Sequence, residues 1–429
     1  MVPNDEHSPL EESMQHAPEE AVLEDATFLE KLRNLSYLTF LLIGVALLWP
    51  WNCFLSASLY FQHDVFHDDT IYAKIYISTM MSISTLSSVA FNFWLSTRQH
   101  GYAKRIVRGL IWEVVVFGSL CVLVSIHKLL PTWLTFTILM LLVLTSSVGT
   151  AMTQNGAMAM ANVFGSQFSQ AVMVGQAIAG VLPSLVLFGV SFIGDPRNQS
   201  TGGIFAYFFT TAMVSVACII LYRASAIGAA DKYEMIRDDN TTASDSKSVP
   251  FSVLFSKLKY LVLSIFTAFV VTLVFPVFAA HTFVAGLPIH NSQYIPLIFT
   301  VWNLGDLYGR VISNYDFFQN PKFTPFKTFI YSIARIGLVP LFFCFNINNA
   351  SKTKYRTLSD LLYILLQFVF GVTNGNVISV SFMKVSSQLD TDKERKAAGG
   401  FTTVFVSTGL ALGSIISYLF VYFISISKP

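Results

Sequence analysis

Long apolar runs alternate with short polar breaks along the chain. A helix needs about 20 apolar residues to cross roughly 30 Å of hydrocarbon. Eleven runs meet that length, near 38–60, 71–95, 107–126, 132–155, 168–193, 203–222, 258–280, 294–313, 326–346, 358–383 and 398–425. The runs are continuous, and each is about twice as long as a barrel strand, which excludes a membrane β-barrel. The pattern therefore predicts an all-α, polytopic membrane protein with eleven transmembrane helices. The longest polar interval divides them six and five. The expected units are a tail over 1–36, a first bundle over 37–222, a linker over 223–257 and a second bundle over 258–429. No internal sequence repeat is evident.

Composition strengthens this reading. Hydrophobic residues make up 53% of the 429 and charged residues 12%, against about 25% charged in soluble domains. Disordered, collagenous, coiled-coil and disulfide-rich secreted classes are excluded. Residues 1–30 hold nine acidic residues and no Lys or Arg, which predicts a solvated, disordered tail. The tail lacks the basic start of a cleavable signal peptide, so the first apolar helix stays as an anchor. Eleven spans put the termini on opposite sides. With the N-terminus in the cytoplasm, 19 Lys and Arg fall in cytoplasmic segments and 7 on the other side, as the positive-inside rule requires. The C-terminus is then non-cytoplasmic. The sequons at Asn198 and Asn349 fall on the non-cytoplasmic side, and that at Asn240 falls in the cytoplasmic linker. Four cysteines, Cys53, Cys121, Cys218 and Cys344, sit in apolar runs without a C-x-x-C pair. They read as buried small hydrophobes.

Polar groups inside the apolar runs are costly and mark candidate sites. In span eight, Asn303, Asp306 and Arg310 share one helix face by their i, i+3 and i+4 spacing. Gly305 and Gly309 form a small-residue stripe beside them. This face suits either a polar site on a central cavity or an ion pair locking the helix to a neighbour. Span one carries Trp49-Pro50-Trp51-Asn52 at its middle. Pro50 removes a backbone donor there and is expected to kink the helix. Midplane tryptophans beside a kink and an Asn suit a planar, partly polar solute, or simple packing. Gln154 in span four and Gln176 in span five each offer a donor beside an acceptor. That suits a nucleobase edge and equally suits helix-to-helix bonding; for Gln176 the structural role is favoured.

Span ten holds Gly371-Val372-Thr373-Asn374-Gly375-Asn376, read as a second Gly/Asn break. Glu113 reads as a hydrogen-bonded structural acid in span three, Arg335 in span nine is ambiguous, and His281 reads as interfacial. No P-loop, Rossmann glycine pattern or His-Glu-x-x-His motif is present. The sequence shows no catalytic or metal constellation, no cofactor motif and no nucleic-acid patch. Membrane lipid is the surrounding partner.

The motifs together resemble the equilibrative nucleoside transporters. The matching segments are Pro50-Trp51-Asn52, Asn303-x-x-Asp306-x-x-Gly309-Arg310, Thr373-Asn374-Gly375, and Ala398-Gly399 followed by Gly409-Leu410-Ala411-Leu412-Gly413-Ser414. They extend across nearly the whole chain. The resemblance implies facilitated diffusion of purine and pyrimidine nucleosides, and of nucleobases in some members. It implies base contacts from Trp51 and Gln154 and ribose contacts from Asp306 and Arg310. Asn52, Asn303 and Asn374 become candidate site or hinge residues. An acidic residue often precedes the Ala-Gly of span eleven and forms an inner gate with a basic residue of span three. Here Lys396 takes that place with Glu394 nearby, and Arg108 is the span-three candidate. The segments 153–156 and 173–177 look most like the fungal intracellular branch, which implies a vacuolar membrane, with the plasma membrane as the alternative. Two further readings stay open: a proton-coupled carrier of the same solutes, and an integral-membrane enzyme using Asp306 or His281.

Overall fold

A computed structural model describes residues 28–67, 70–192, 200–225, 248–348 and 355–426. The asparagines of all three sequons lie outside these residues, as do most of the acidic tail and of the linker. The principal helices are α1 (Leu35–Ser56), α2 (Ile71–Thr97), α3 (Tyr102–Ile126), α4 (Thr132–Phe164), α5 (Ser166–Val190), α6 (Thr201–Ala224), α7 (Phe251–Thr272), α8 (Asn291–Ile312), α9 (Pro325–Ala334), α10 (Arg356–Met383) and α11 (Asp392–Ile426). Among the described residues there is no strand, only one isolated bridge between Thr282 and Ile347. Among the described residues, nine helical stretches are both long and apolar enough to cross a membrane. The helices α2 and α8, with 27 and 22 residues, have the length but not the apolarity. Serines and threonines dilute α2, and Asn303, Asp306 and Arg310 dilute α8.

Ordered structure begins before residue 36. A helical turn at Phe28–Lys31 precedes α1, and the Asn34 side chain caps α1 by accepting from the Tyr37 N–H. Lys31 is buried and donates to Gln167 Oε1 at 2.6 Å. At the other end of the linker, α7 already starts at Phe251 behind Pro250.

The helix α1 continues through Pro50 to Ser56, where packing against α5 and α6 holds it although one backbone bond is missing. One local expectation needs correction. The Gly/Asn segment of α10 is continuous helix and not a break; its glycines serve close approach, described below. The actual interruption lies in span seven, where α7 stops at Thr272 and helix resumes at Val274–His281. Pro276 explains it. Its ring nitrogen cannot donate to the Thr272 carbonyl and its ring crowds that group.

The packing forms two halves. In the first, α1 lies against α5 and α6, and α3 against α4 and α6. In the second, α8 lies against α10, and α7 against α9, α10 and α11. The halves meet along α5–α8 and along α2 and α4 against α11. At one end of this seam, Gly399 abuts the Ala159 backbone, and Gly400 abuts the Asn155 amide and Ser96. The Asn162 amide donates there to the Arg395 carbonyl at 3.2 Å. Large apolar side chains such as Leu86, Trp94, Val122, Ile220 and Ile415 are exposed on the outside, as a lipid-facing surface requires. Three of the cysteines are buried as expected, but Cys344 is exposed, since it ends the 3-10 continuation of α9.

Candidate functional site

The site is made possible by four glycines. Gly305 and Gly309 on α8 face the Phe368 and Val372 carbonyls of α10. Reciprocally, Gly371 and Gly375 face the Trp302 and Asp306 carbonyls of α8. A Cβ at any of the four would collide with backbone, so the two helices touch main chain to main chain. That proximity lets Asn374 reach Asp306.

Asp306 and Arg310 are 4% and 6% exposed. A buried charge missing its partner costs several kcal/mol, so each atom must be accounted for. Arg310 Nε donates to Asp306 Oδ2 at 2.8 Å. Asn374 Nδ2 donates to Asp306 Oδ1 at 2.7 Å. The Thr272 hydroxyl lies 2.6 Å from Asn374 Oδ1 and 2.7 Å from the Ala268 carbonyl, and so orients that amide. Thr272 is the last residue before the break in span seven, so the interruption and the charged cluster are joined. Across the seam, Arg310 Nη1 donates to the Met173 carbonyl at 2.7 Å and approaches Gln176 Oε1 at 3.4 Å. Its Nη2 donates to no described residue. Arg310 thus holds both halves and keeps one donor uncommitted.

A second buried guanidinium, Arg335, sits behind this cluster. Its Nε and Nη1 make only long bonds, 3.4 Å to Thr373 Oγ1 and 3.5 Å to the Ala268 carbonyl, and it stacks on Phe370 at 4.9 Å.

The other expected residues are placed as follows. Trp51 and Gln154 are half-buried in the first half, and Gln154 makes no hydrogen bond among the described residues. Trp49 lies 6.5 Å from Tyr207 with its indole nitrogen buried and without an acceptor. Asn52 ties α1 to α5 by donating to the Ala179 carbonyl at 2.7 Å. Asn303 folds back on its own helix, donating to Phe299 at 2.8 Å, and abuts Gly180. Glu113 accepts from Ser146 at 2.9 Å and Thr150 at 2.8 Å, so both oxygens bind α3 to α4. His281 Nδ1 is paired with its own helix, at 2.8 Å from the Val277 carbonyl.

The structure does not bring Arg108 and Glu394 together. Arg108 is exposed, and Glu394 binds Lys257 at 2.7 Å within the second half. Arg105, one turn earlier, is the buried basic residue of α3. It donates to Asn155 Oδ1 and the Leu95 carbonyl beside the closed end of the seam. The signal was available: Arg105 shares a face with Gly109 and Glu113 at i+4 and i+8, and Arg108 lies off it.

The sequence profile described as nucleoside transporter matches residues 139–235 and 228–422. The chain belongs to the nucleoside transporter family. Nucleoside transporter FUN26 of Saccharomyces cerevisiae is 52% identical over 98% of this chain and 90% of its own. Equilibrative nucleoside transporter 3 of Rattus norvegicus is 24% identical over 99% and 96%. Among solved structures, a bacterial homologue of the iron transporter ferroportin in an outward-facing state superposes with TM-score 0.61 at 14% identity, covering 92% and 94% of the two chains. The major facilitator superfamily proton:xylose symporter XylE gives 0.58 at 11% identity, covering 90% and 87%. These two likenesses show the fold alone. A nucleoside transporter is a carrier, so the integral-membrane enzyme reading falls.

Proposed function

We propose that the chain carries nucleosides downhill across a membrane by alternating access, with eleven spans split six and five. The N-terminus lies in the cytoplasm, and the closed end of the seam is the cytoplasmic end. The observation that carries this reading is the Asp306–Arg310 pair, buried at the seam between two helical halves and bonded to both. Asp306 accepts from, and Arg310 Nη2 donates to, the vicinal hydroxyls of a ribose. Trp51 stacks on the base and the unpaired Gln154 amide reads its edge. Gln176 joins this list through Arg310. Arg105 takes the gate role that the sequence offered to Arg108. Nucleobases are a second solute class, and the family resemblance favours a vacuolar membrane over the plasma membrane.

The test is uptake of uridine, adenosine and adenine into proteoliposomes of the purified protein, with and without a proton gradient. Saturable equilibration without a gradient is expected. Failure to accelerate uridine or adenosine would overturn the assignment, and gradient-driven accumulation would make it a proton-coupled carrier. A glycan on Asn240 would reverse the orientation.

A further inference from the structure

A separate polar cavity of about 270 Å³ opens on the seam at its closed end. The first half contributes Asn162, Gly165 and Ser166, and the second contributes Lys384, Ser387 and Arg395. No carboxylate lines it. Lys384 is 8% exposed, and its ammonium has no hydrogen-bond or carboxylate partner among the described residues. Only the Phe323 ring stands near, at 5.9 Å. Burial pushes this ammonium below its usual range. Arg395 pairs through Nη1 with Asp392 at 3.1 Å and gives Nη2 to the Leu389 carbonyl at 3.5 Å, while its Nε is buried with no acceptor. The 25-residue helix α5 begins at Ser166 behind Gly165, whose position supplies no capping side chain. The positive end of a long helix, an unpartnered lysine and an arginine with one unpaired nitrogen therefore line one space.

A mostly buried lysine with no counter-charge is costly, and helix N-termini hold oxyanions through main-chain N–H groups and the helix dipole. The volume falls just below that of drug-sized ligand sites, roughly 300 Å³ and upward, which suits a phosphate or small phosphomonoester. We infer that this cavity binds a phosphate-class oxyanion from solution, held by Lys384 and Arg395 of the second half and by the start of α5 in the first. One ligand then touches both halves and stabilises the state closed at this end. The binding site stands on the geometry alone. The consequence, slower nucleoside flux when phosphate is present on this face, rests on the carrier reading above.

The experiment measures the melting temperature of the purified full chain in detergent. Sodium phosphate and glycerol 3-phosphate are titrated against sodium chloride of equal ionic strength, and vesicles bearing phosphatidylinositol phosphate form a separate arm. A saturable rise with either soluble anion is expected in the wild type. It should be lost in Lys384→Gln and Arg395→Gln and kept in Lys384→Arg. No rise beyond chloride, or an equal rise in the two Gln variants, overturns the proposal. So does stabilisation by the lipid alone, which would assign the ligand to the membrane. Should Lys384→Gln fail to fold, the wild-type titration and Arg395→Gln decide. In proteoliposomes, phosphate on this face should slow uridine flux about fivefold or more. Phosphate binding without any nucleoside flux would count against the carrier reading and leave the anion site standing.

Discussion

Asn374 on α10 donates to Asp306 on α8 at 2.7 Å, filling the one carboxylate oxygen that Arg310 leaves open. Each carboxylate oxygen therefore has one donor at rest and keeps a second lone pair. A ribose hydroxyl that engages Oδ1 shares that oxygen with the Asn374 amide, so Asn374 tunes how tightly the sugar is held.

Asp306→Asn should cut nucleoside flux sharply in protein that still reaches its membrane. Wild-type carrier should also prefer ribonucleosides to 2′,3′-dideoxynucleosides by about tenfold or more, since a lost bond to a charged group is worth on the order of 1.5–3 kcal/mol. Competition of both sugar classes against labelled uridine checks this. Equal affinities would remove the ribose role from the pair.

Asn374→Ala leaves Asp306 Oδ1 without its donor, at about 1–3 kcal/mol. The expected result is a lower melting temperature and a changed KM for ribonucleosides. The test reads the dideoxynucleoside KM alongside; a purely packing role would move both together.

Gly375→Leu should abolish folded protein, because its Cβ would strike the Asp306 carbonyl and overpacking of this kind costs about 1–3 kcal/mol or more. Gly118→Leu is the control, since nothing lies within 4 Å of a Cβ there. Detergent-extracted monodisperse yield separates the two variants.

Asp360 on α10 is buried and accepts from the backbone N–H groups of Ala285, Gly286 and Leu287, at 2.7 to 3.1 Å. Asp360→Ala strands these donors and should cost about 1–3 kcal/mol. Hydrogen exchange over 283–290 should rise first.

Trp51→Ala should weaken nucleoside binding by about 1–3 kcal/mol if a base stacks there, with ribose alone unaffected as a competitor. Gln154→Ala should shift the ranking of bases more than overall flux.

Helix existence was legible because about 20 apolar residues in a row leave few alternatives. The charged core of the site was legible for a related reason: Asp306 and Arg310 cannot enter an apolar helix without a cause. Pairing across helices was not. That Asn374 completes Asp306 depends on glycines of two helices meeting, which one sequence does not display. Pro50 and Pro276 show the same limit. Both remove one donor, yet α1 continues while span seven breaks, because neighbouring helices decide how each gap is absorbed. The buried basic residue of α3 is Arg105 and Arg108 is exposed, a difference that helical periodicity alone could have shown.

The split allegiance of Arg310 has a kinetic consequence. One nitrogen holds Asp306 in its own half, and another holds the Met173 carbonyl across the seam. In the proposed cycle, parting α5 from α8 requires the second bond to break. In an unloaded carrier nothing replaces it, so the empty return is the slow leg of the cycle. A bound ribose offers Arg310 new acceptors at the moment that contact is lost. Efflux of labelled nucleoside should therefore quicken when unlabelled nucleoside waits on the far side, an exchange faster than net flow, with no second solute or energy source involved.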